Sequence, residues 1–387
     1  MNKAEPAFSR LQTPAAKCLH LVRLNPIITR SELVELTGLS QPTITRAVGS
    51  LLDAGLIQQR MDLTRSHGRG RPTVPLELAT NNWMLAGIAV GTKSTHIALF
   101  DTKGRPLRDL DIETHVAELT HEDFIEHIIA GVHRLSTGLD YTLVSMGVST
   151  SGRVDEDGRV YAPNLGWDGL DVPSLLRNHF GVPVIVSSAI PAILGSETQA
   201  ADLSETAPVL VLFADDSIGA ALSNSSGVRQ IVPLPTVSSD LLNLDGAAAE
   251  RALTTAGVLK SLKDAGAGQE SLAAAVAAGE DTGSGAGATA RAILDERARL
   301  LGEVAAELID EYRPATVVVA GSAFYSDSSA PKKFAASARA ACSTPTEDVE
   351  LRMIPTHREI VRAVARAVAL DQLLRTPLAL GKTLERA

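Results

Sequence analysis

Four side chains near the N-terminus have types and spacing suited to reading DNA. Gln41, Thr43, Thr45 and Arg46 lie in the helix-length stretch QPTITRAVGSLLD. They are three short hydrogen-bonding groups and one guanidinium, able to enter a major groove and meet base edges there. In the same stretch Ile44, Val48 and Leu51 follow i, i+4, i+7 spacing and form the opposite, inward side. A second set, Arg65, Arg69 and Arg71, sits in the polar run TRSHGRGRP with Gly68 and Gly70. Arginines on a Gly-rich, Pro-terminated tip suit a minor groove or a phosphate backbone.

The elements that must hold these groups are visible around them. Thr29 and Glu32 fit a capping box, so a helix opens at Arg30. Leu33 and Leu36 are expected to give it its buried side, and Gly38 marks a sharp turn. Ser40 then caps a second helix with Pro42 in its first turn, where a missing N–H costs nothing. An earlier helix, Pro14 to Leu24, turns Leu19 and Val22 inward. The flanks LIQQRMDL and TVPLELA carry strand-forming residues on either side of the arginine loop, which predicts a β-hairpin. The order helix, helix, reader, strand, basic loop, strand is that of a winged helix-turn-helix. An ordinary surface hairpin of helices followed by a solvated linker is the plainer alternative, and that order makes it the weaker one.

Charge supports the assignment. The chain has 387 residues and a net charge of −9, but residues 1–80 hold ten Lys and Arg against six Asp and Glu. A basic head on an acidic body lets one end approach phosphates. No apolar run reaches membrane-spanning length and no signal core precedes the first helix, so a cytoplasmic protein without membrane contact is expected. Cys18 and Cys342 are too far apart for a paired-cysteine site, and the nine histidines show no i, i+4 spacing. Neither a metal site nor a cofactor is expected.

Beyond Trp83 the pattern changes. The apolar runs LAGIAVG and THIALFD, the segment LRDLDIE, a helix over Thr120–Leu135 and the strand LVSMGVST come in turn. A loop containing APNLGWDG, a helix near Pro173–Phe180, the strand VPVIVSS, the helix IPAILGSE and the strands PVLVLFADD and SIGAALS follow. This predicts an α/β body with a mixed sheet, because short turns join its first three strands. Residues 245–312 are expected to be helical, interrupted by a flexible break in AAAVAAGEDTGSGAGAT. TVVVAG, a helix near Lys332–Ala341, VELRMIP and a long closing helix, Arg358–Leu374, complete the chain. The alternation is duplicated in two halves, as in a two-lobed fold with a cleft. The domains are therefore expected at 1–80 and 81–387, with the closing helix returning to the first lobe.

The motifs LSQPTITRAVGSLLDAGLI, GRGRP, GIAVGTKSTHIALFD, GVSTSGRVD, APNLGW and VVVAGSAF, in this order, resemble the ROK family of repressors, open reading frames and kinases, in its regulator branch. The resemblance spans nearly the whole chain. It implies a winged helix-turn-helix joined to an actin-like, sugar-kinase-type (ribonuclease H-like) body. It also implies a homodimer or tetramer on double-stranded operator DNA and a small-molecule effector. The alternative it carries is a sugar kinase with an accessory DNA-binding domain.

Departures from the kinase pattern favour the regulator. Ala89 stands where kinase members have an acidic residue that helps hold metal and phosphate. Ser187 and Ser188 stand where they have an Asn-Asp pair whose Asp is the general base. A serine without a base of its own cannot take that proton at neutral pH. In ADDSIGAALS, Asp215 and Asp216 would repel a phosphate. The family's sugar motif and cysteine-rich zinc loop are not recognisable between Gly227 and Gly257. No catalytic residue is therefore assigned. Gly152 and Asn164 match positions lining the family's sugar pocket, or are a turn glycine and a loop cap. Trp167 either closes that pocket or packs beneath the loop. Ser151, Gly152, Asn164, Ser187 and Ser188 are the expected effector-binding set.

Overall fold

The computed structural model describes residues 6–64, 74–201, 207–242, 249–345 and 349–384. Contacts divide the chain into two compact units: residues 1–206 with 225–228 and 361–387, and residues 207–224 with 229–360.

The first unit opens with α1 (Pro14–Leu24), α2 (Arg30–Thr37) and α3 (Gln41–Asp53), whose ends are satisfied locally. The Glu32 carboxylate accepts the Thr29 N–H at 2.7 Å while Thr29 Oγ1 accepts the Glu32 N–H at 3.3 Å, closing the capping box. Gly38, at φ 66°, ends α2 in the left-handed region, and Ser40 Oγ accepts the Thr43 N–H to start α3. Leu19, Val22, Leu33, Ile44, Val48 and Leu51 form the core of this three-helix pack. Leu36, expected inward, is 37% exposed. In a helix of eight residues the inward line runs from Leu33 to Thr37, one turn on, and Leu36 falls off its edge.

The hairpin pairs β1 (Ile57–Gln59) with β2 (Leu76–Leu78) antiparallel, Gln58 opposite Glu77. Ile28 bridges to Leu76 beside them. A short 3-10 turn, Met61–Leu63, stops β1 after three residues, and Arg60 ties it down through Asp62 at 2.6 Å and Glu77 at 2.9 Å. Arg65, Arg69 and Arg71 lie outside the described residues.

The rest of the first unit holds β3 (Trp83–Val90), β4 (Ser94–Phe100), β5 (Pro106–Glu113), α4 (His121–Ser136) and β6 (Thr142–Thr150). Then come β7 (Arg153–Val154), β8 (Val160–Ala162), β9 (Trp167–Leu170), α5 (Val172–Phe180), β10 (Val184–Ser188) and α6 (Ala189–Ala200). The main sheet has the order β10-β6-β3-β4-β5, parallel on the β6 side and antiparallel through the hairpins. The APNLGWDG segment, expected as a loop, lies within the small sheet β7-β8-β9, with a 3-10 turn at Pro163–Leu165. Those strands have two to four residues each, too short for a period to register in sequence.

The second unit repeats the pattern with β11 (Val209–Ala214), β12 (Ile218–Asn224), β13 (Gly227–Ile231), α7 (Ala249–Ala252), α8 (Thr255–Asp264), α9 (Leu272–Glu280) and α10 (Gly285–Tyr312). It continues through β14 (Thr316–Ala320), α11 (Ser322–Tyr325), α12 (Ala330–Ala341) and β15 (Glu350–Met353). Its sheet order, β13-β12-β11-β14-β15, matches that of the first: a meander followed by two parallel strands. The expected Gly-rich break is only the turn between α9 and α10. Ser284 caps α10 through the Gly287 N–H, and the alanines around it favour helix over coil. The chain closes with α13 (His357–Arg375) and α14 (Pro377–Leu384).

Both cysteines are free thiols. Burial within α1 pushes the Cys18 thiol up to about 11, and burial raises Cys342 as well, but Cys342 is only partly covered. A disulfide-exchange reagent at neutral pH is expected to label Cys342 in the native protein and Cys18 only after unfolding. Equal rates would contradict the packing of α1.

Candidate functional site

α3 presents its polar residues unequally. Gln41, Thr45 and Arg46 are exposed, whereas Thr43 is half-buried with its hydroxyl 2.8 Å from Ser40 Oγ. Thr43 therefore belongs as much to the helix cap as to a reading surface. Thr43, Arg46 and Ser50 also border a groove of about 460 Å³ whose other wall includes Thr13 of the α1 cap and Thr376 and Leu378 at the start of α14. Arg46 reaches solvent from the rim of this groove.

The five other candidate residues meet at the carboxyl ends of parallel strands β6 and β10. Ser188 is opposite Thr150 and Ser187 opposite Ser149, which brings Ser151 and Gly152 beside the start of α6. Ser151 Oγ donates to Asn164 Oδ1 at 3.1 Å, joining the 3-10 turn to the strand end. Ser187 is buried and donates to the Ser188 carbonyl at 3.0 Å. Ser188 is the N-cap of α6 and makes no side-chain cap hydrogen bond. Gly152 has φ +83°, and a Cβ there would overlap the backbone of Tyr161 and Ala162. Its backbone role alone accounts for the glycine. Trp167 packs: it is 3% exposed and its ring meets Phe124 edge-on at 5.0 Å.

Ala89 is 8% exposed on β3, between His96 of β4 and Ser149 of β6. His96 is itself buried, with Nδ1 2.7 Å from Asp111 Oδ1 on β5. Sequence reasoning missed this pair, because fifteen residues separate its members and only the β4–β5 register aligns them.

In the second unit Asp215 accepts from the Ser322 N–H at 3.1 Å and the Ser322 hydroxyl at 2.7 Å, and Tyr325 OH is 3.4 Å away. An internal carboxylate thus takes up the donors at the end of β14. Arg297, 2% exposed, donates through Nε to the Leu253 carbonyl at 2.9 Å. Its Nη atoms have no hydrogen-bond partner among the described residues. Burial lowers its guanidinium to about 10, against the opposing pull of Asp215 and Asp216.

Residues 85–224 match the model of the ROK family, and residues 11–70 match a model of the MarR family. A protein of Mycobacterium tuberculosis named transcriptional regulator is 29% identical over 405 residues, covering 96% of this chain and 88% of its own length. The chain is thus similar to the ROK family over residues 85–224 and to a transcriptional regulator along most of its length. The crystal structure of a ROK transcriptional regulator homologous to Mlc of Escherichia coli superposes with a TM-score of 0.72 at 18% identity. The match covers 96% of this chain and 98% of that one. A ROK hexokinase from Thermus thermophilus shares the fold at a TM-score of 0.62 and 16% identity, over 74% of this chain and 98% of its own. The difference in coverage reflects the winged helix-turn-helix, which this chain carries ahead of a sugar-kinase-like body. Among the described residues no helix is long and apolar enough to cross a membrane.

Proposed function

We propose that this chain binds double-stranded operator DNA through Gln41, Thr43, Thr45 and Arg46 of α3 and through Arg65, Arg69 and Arg71 of the hairpin tip. The observation that carries this is the exposed face of α3, capped by Ser40, in a winged helix-turn-helix. Residues 1–80 form the DNA-reading domain. Residues 81–387 form the domain that binds a small-molecule effector and assembles a homodimer or tetramer in the cytoplasm. Ser151, Gly152, Asn164, Ser187 and Ser188 hold the effector with neutral hydrogen-bonding groups suited to hydroxyl, carbonyl or amine functions.

The body is not a catalyst in this reading. Ala89 supplies no carboxylate for a metal, and Ser187 and Ser188 supply no general base. Selecting duplexes from a random library with purified protein tests the DNA assignment, and enrichment of a pseudo-palindrome is the expected result. Sedimentation showing a monomer both free and on that duplex would overturn the assembly. Incubation with ATP and hexoses or amino sugars is expected to give no sugar phosphate. Turnover that disappears on changing Ser188 would make the protein a kinase.

A further inference from the structure

α6 begins at the Ser187–Ser188 pair and ends against the winged helix. It runs from Ala189 to Ala200, twelve residues, or about 18 Å at the rise of an α-helix. Its first turn opens at the carboxyl ends of β6 and β10, beside Ser151 and Asn164. Its last carbonyls have no partners within the helix and must find them elsewhere. α1 supplies them. The Arg23 guanidinium donates to the Gln199 carbonyl, and His20 Nε2 lies 2.9 Å from the Ala201 carbonyl. A carbonyl only accepts, so that ring nitrogen carries the proton. Midway, Phe8 lies flush on Gly195, where a Cβ would overlap its ring. The N-terminal arm and the first helix of the DNA-binding domain are therefore both seated on α6.

The electrostatics favour this seating. Arg23 is largely buried, which lowers its guanidinium to about 10, with Arg366 adding to the effect. At neutral pH it stays charged and faces the partial negative charge at the α6 C-terminus. Leu19 and Val22 of α1 pack in one core with Ile44 and Val48 of α3. A displacement of α1 therefore carries α3 with it.

We propose that α6 is the rod that transmits the state of the Ser187–Ser188 end to the reader helix. Shifts of about 1–2 Å along or around a packed helix are enough to move an element seated on its far end. The proposal rests on placing the effector at that end of the first unit. α13 is the competing route, since Gln199 Nε2 donates to its Ala367 carbonyl at 3.0 Å and its Asp371 accepts the Phe8 N–H at 2.8 Å.

A double-mutant cycle in the full-length protein tests the rod without a known effector. Ser188→Asp perturbs the near end with a residue that caps helices well, and Arg23→Gln removes the far-end contact. The probe is the duplex selected above, and melting curves establish that each variant folds. Ser188→Asp is expected to change duplex affinity about threefold or more in the parent, and that change is expected to vanish in the Arg23→Gln background. The same factor in both backgrounds, or no change in the parent, overturns the rod and leaves α13 as the route. Should Arg23→Gln not fold, His20→Phe removes the other far-end donor at similar volume. Failure to select any duplex would count against the DNA assignment alone. The rod is then read from amide exchange in α1, which Ser188→Asp alters in the parent but not in the far-end variant.

Discussion

Arg46→Ala is expected to cost about 1–3 kcal/mol of affinity for the selected duplex and to relax the preference at one base pair. The guanidinium is exposed on α3, with Gln41 and Thr45 exposed on the same helix, so it is available for a bidentate contact with guanine. Thr43→Ala should behave differently. Its hydroxyl is hydrogen-bonded to Ser40 Oγ at the helix start, while the cap bond itself comes from its backbone N–H and survives, so the loss in stability is at most about 1 kcal/mol. Arg69→Ala acts through phosphate: it should weaken all duplexes alike and lower the slope of log K against log salt by roughly 0.9. Anisotropy titrations at several salt concentrations separate the three variants. Unchanged affinity for Arg46→Ala and Arg69→Ala together would remove both contact sets.

The helix-turn-helix was legible because its signals are local. Thr29 with Glu32, Gly38 and Ser40 with Pro42 lie within a few residues of the bonds they make, and α2 and α3 begin where those residues predict. The main strands were legible from apolar runs alone, since both faces of β3 and β6 are covered. What escaped was set by distance or brevity. Arg23 and Gln199 are 176 residues apart, and nothing in either neighbourhood announces the other. The three strands of the small sheet are shorter than any detectable period.

The candidate ligand end was legible only in part, and the reason is chemical. Serine and asparagine are residue types common at any surface, and only the parallel register of β6 with β10, with the Ser151–Asn164 bond, brings Ser151, Asn164, Ser187 and Ser188 to one end of the sheet. Gly152 could be assigned to backbone geometry once its φ and its approach to Tyr161 were visible. The changes that disfavour phosphoryl transfer were plain in sequence because they are losses of charge type. The contacts made near those positions were not. Asp215 engages Ser322, and His96 engages Asp111 beside Ala89, both through long-range registers.

Gly147→Ala is expected to be among the most damaging single changes outside α3. Gly147 on β6 and Gly87 on β3 are direct partners, and a Cβ on either would overlap the backbone of α13, at Val368 and Ala365 respectively. The obstacle is a carbonyl rather than the end of a flexible side chain, so the neighbour can yield only if α13 lifts from the sheet. Overpacking of this kind costs about 1–3 kcal/mol when side chains can adjust, and the upper end applies where they cannot. For a chain of 387 residues unfolding as one, the upper end corresponds to a fall in melting temperature of roughly 4 °C. Gly49→Ala provides the opposite case. Gly49 lies inside α3 with open space around it, so alanine should stabilise by up to about 1 kcal/mol through helix propensity. Because α13 also holds the Phe8 N–H through Asp371 and Gln199 through Ala367, lifting it should release the N-terminal arm. Amide exchange is then expected to rise across α13 and around Phe8 in Gly147→Ala, while β14 in the second unit keeps its protection. A melting temperature unchanged by Gly147→Ala would mean that α13 does not pack on this sheet.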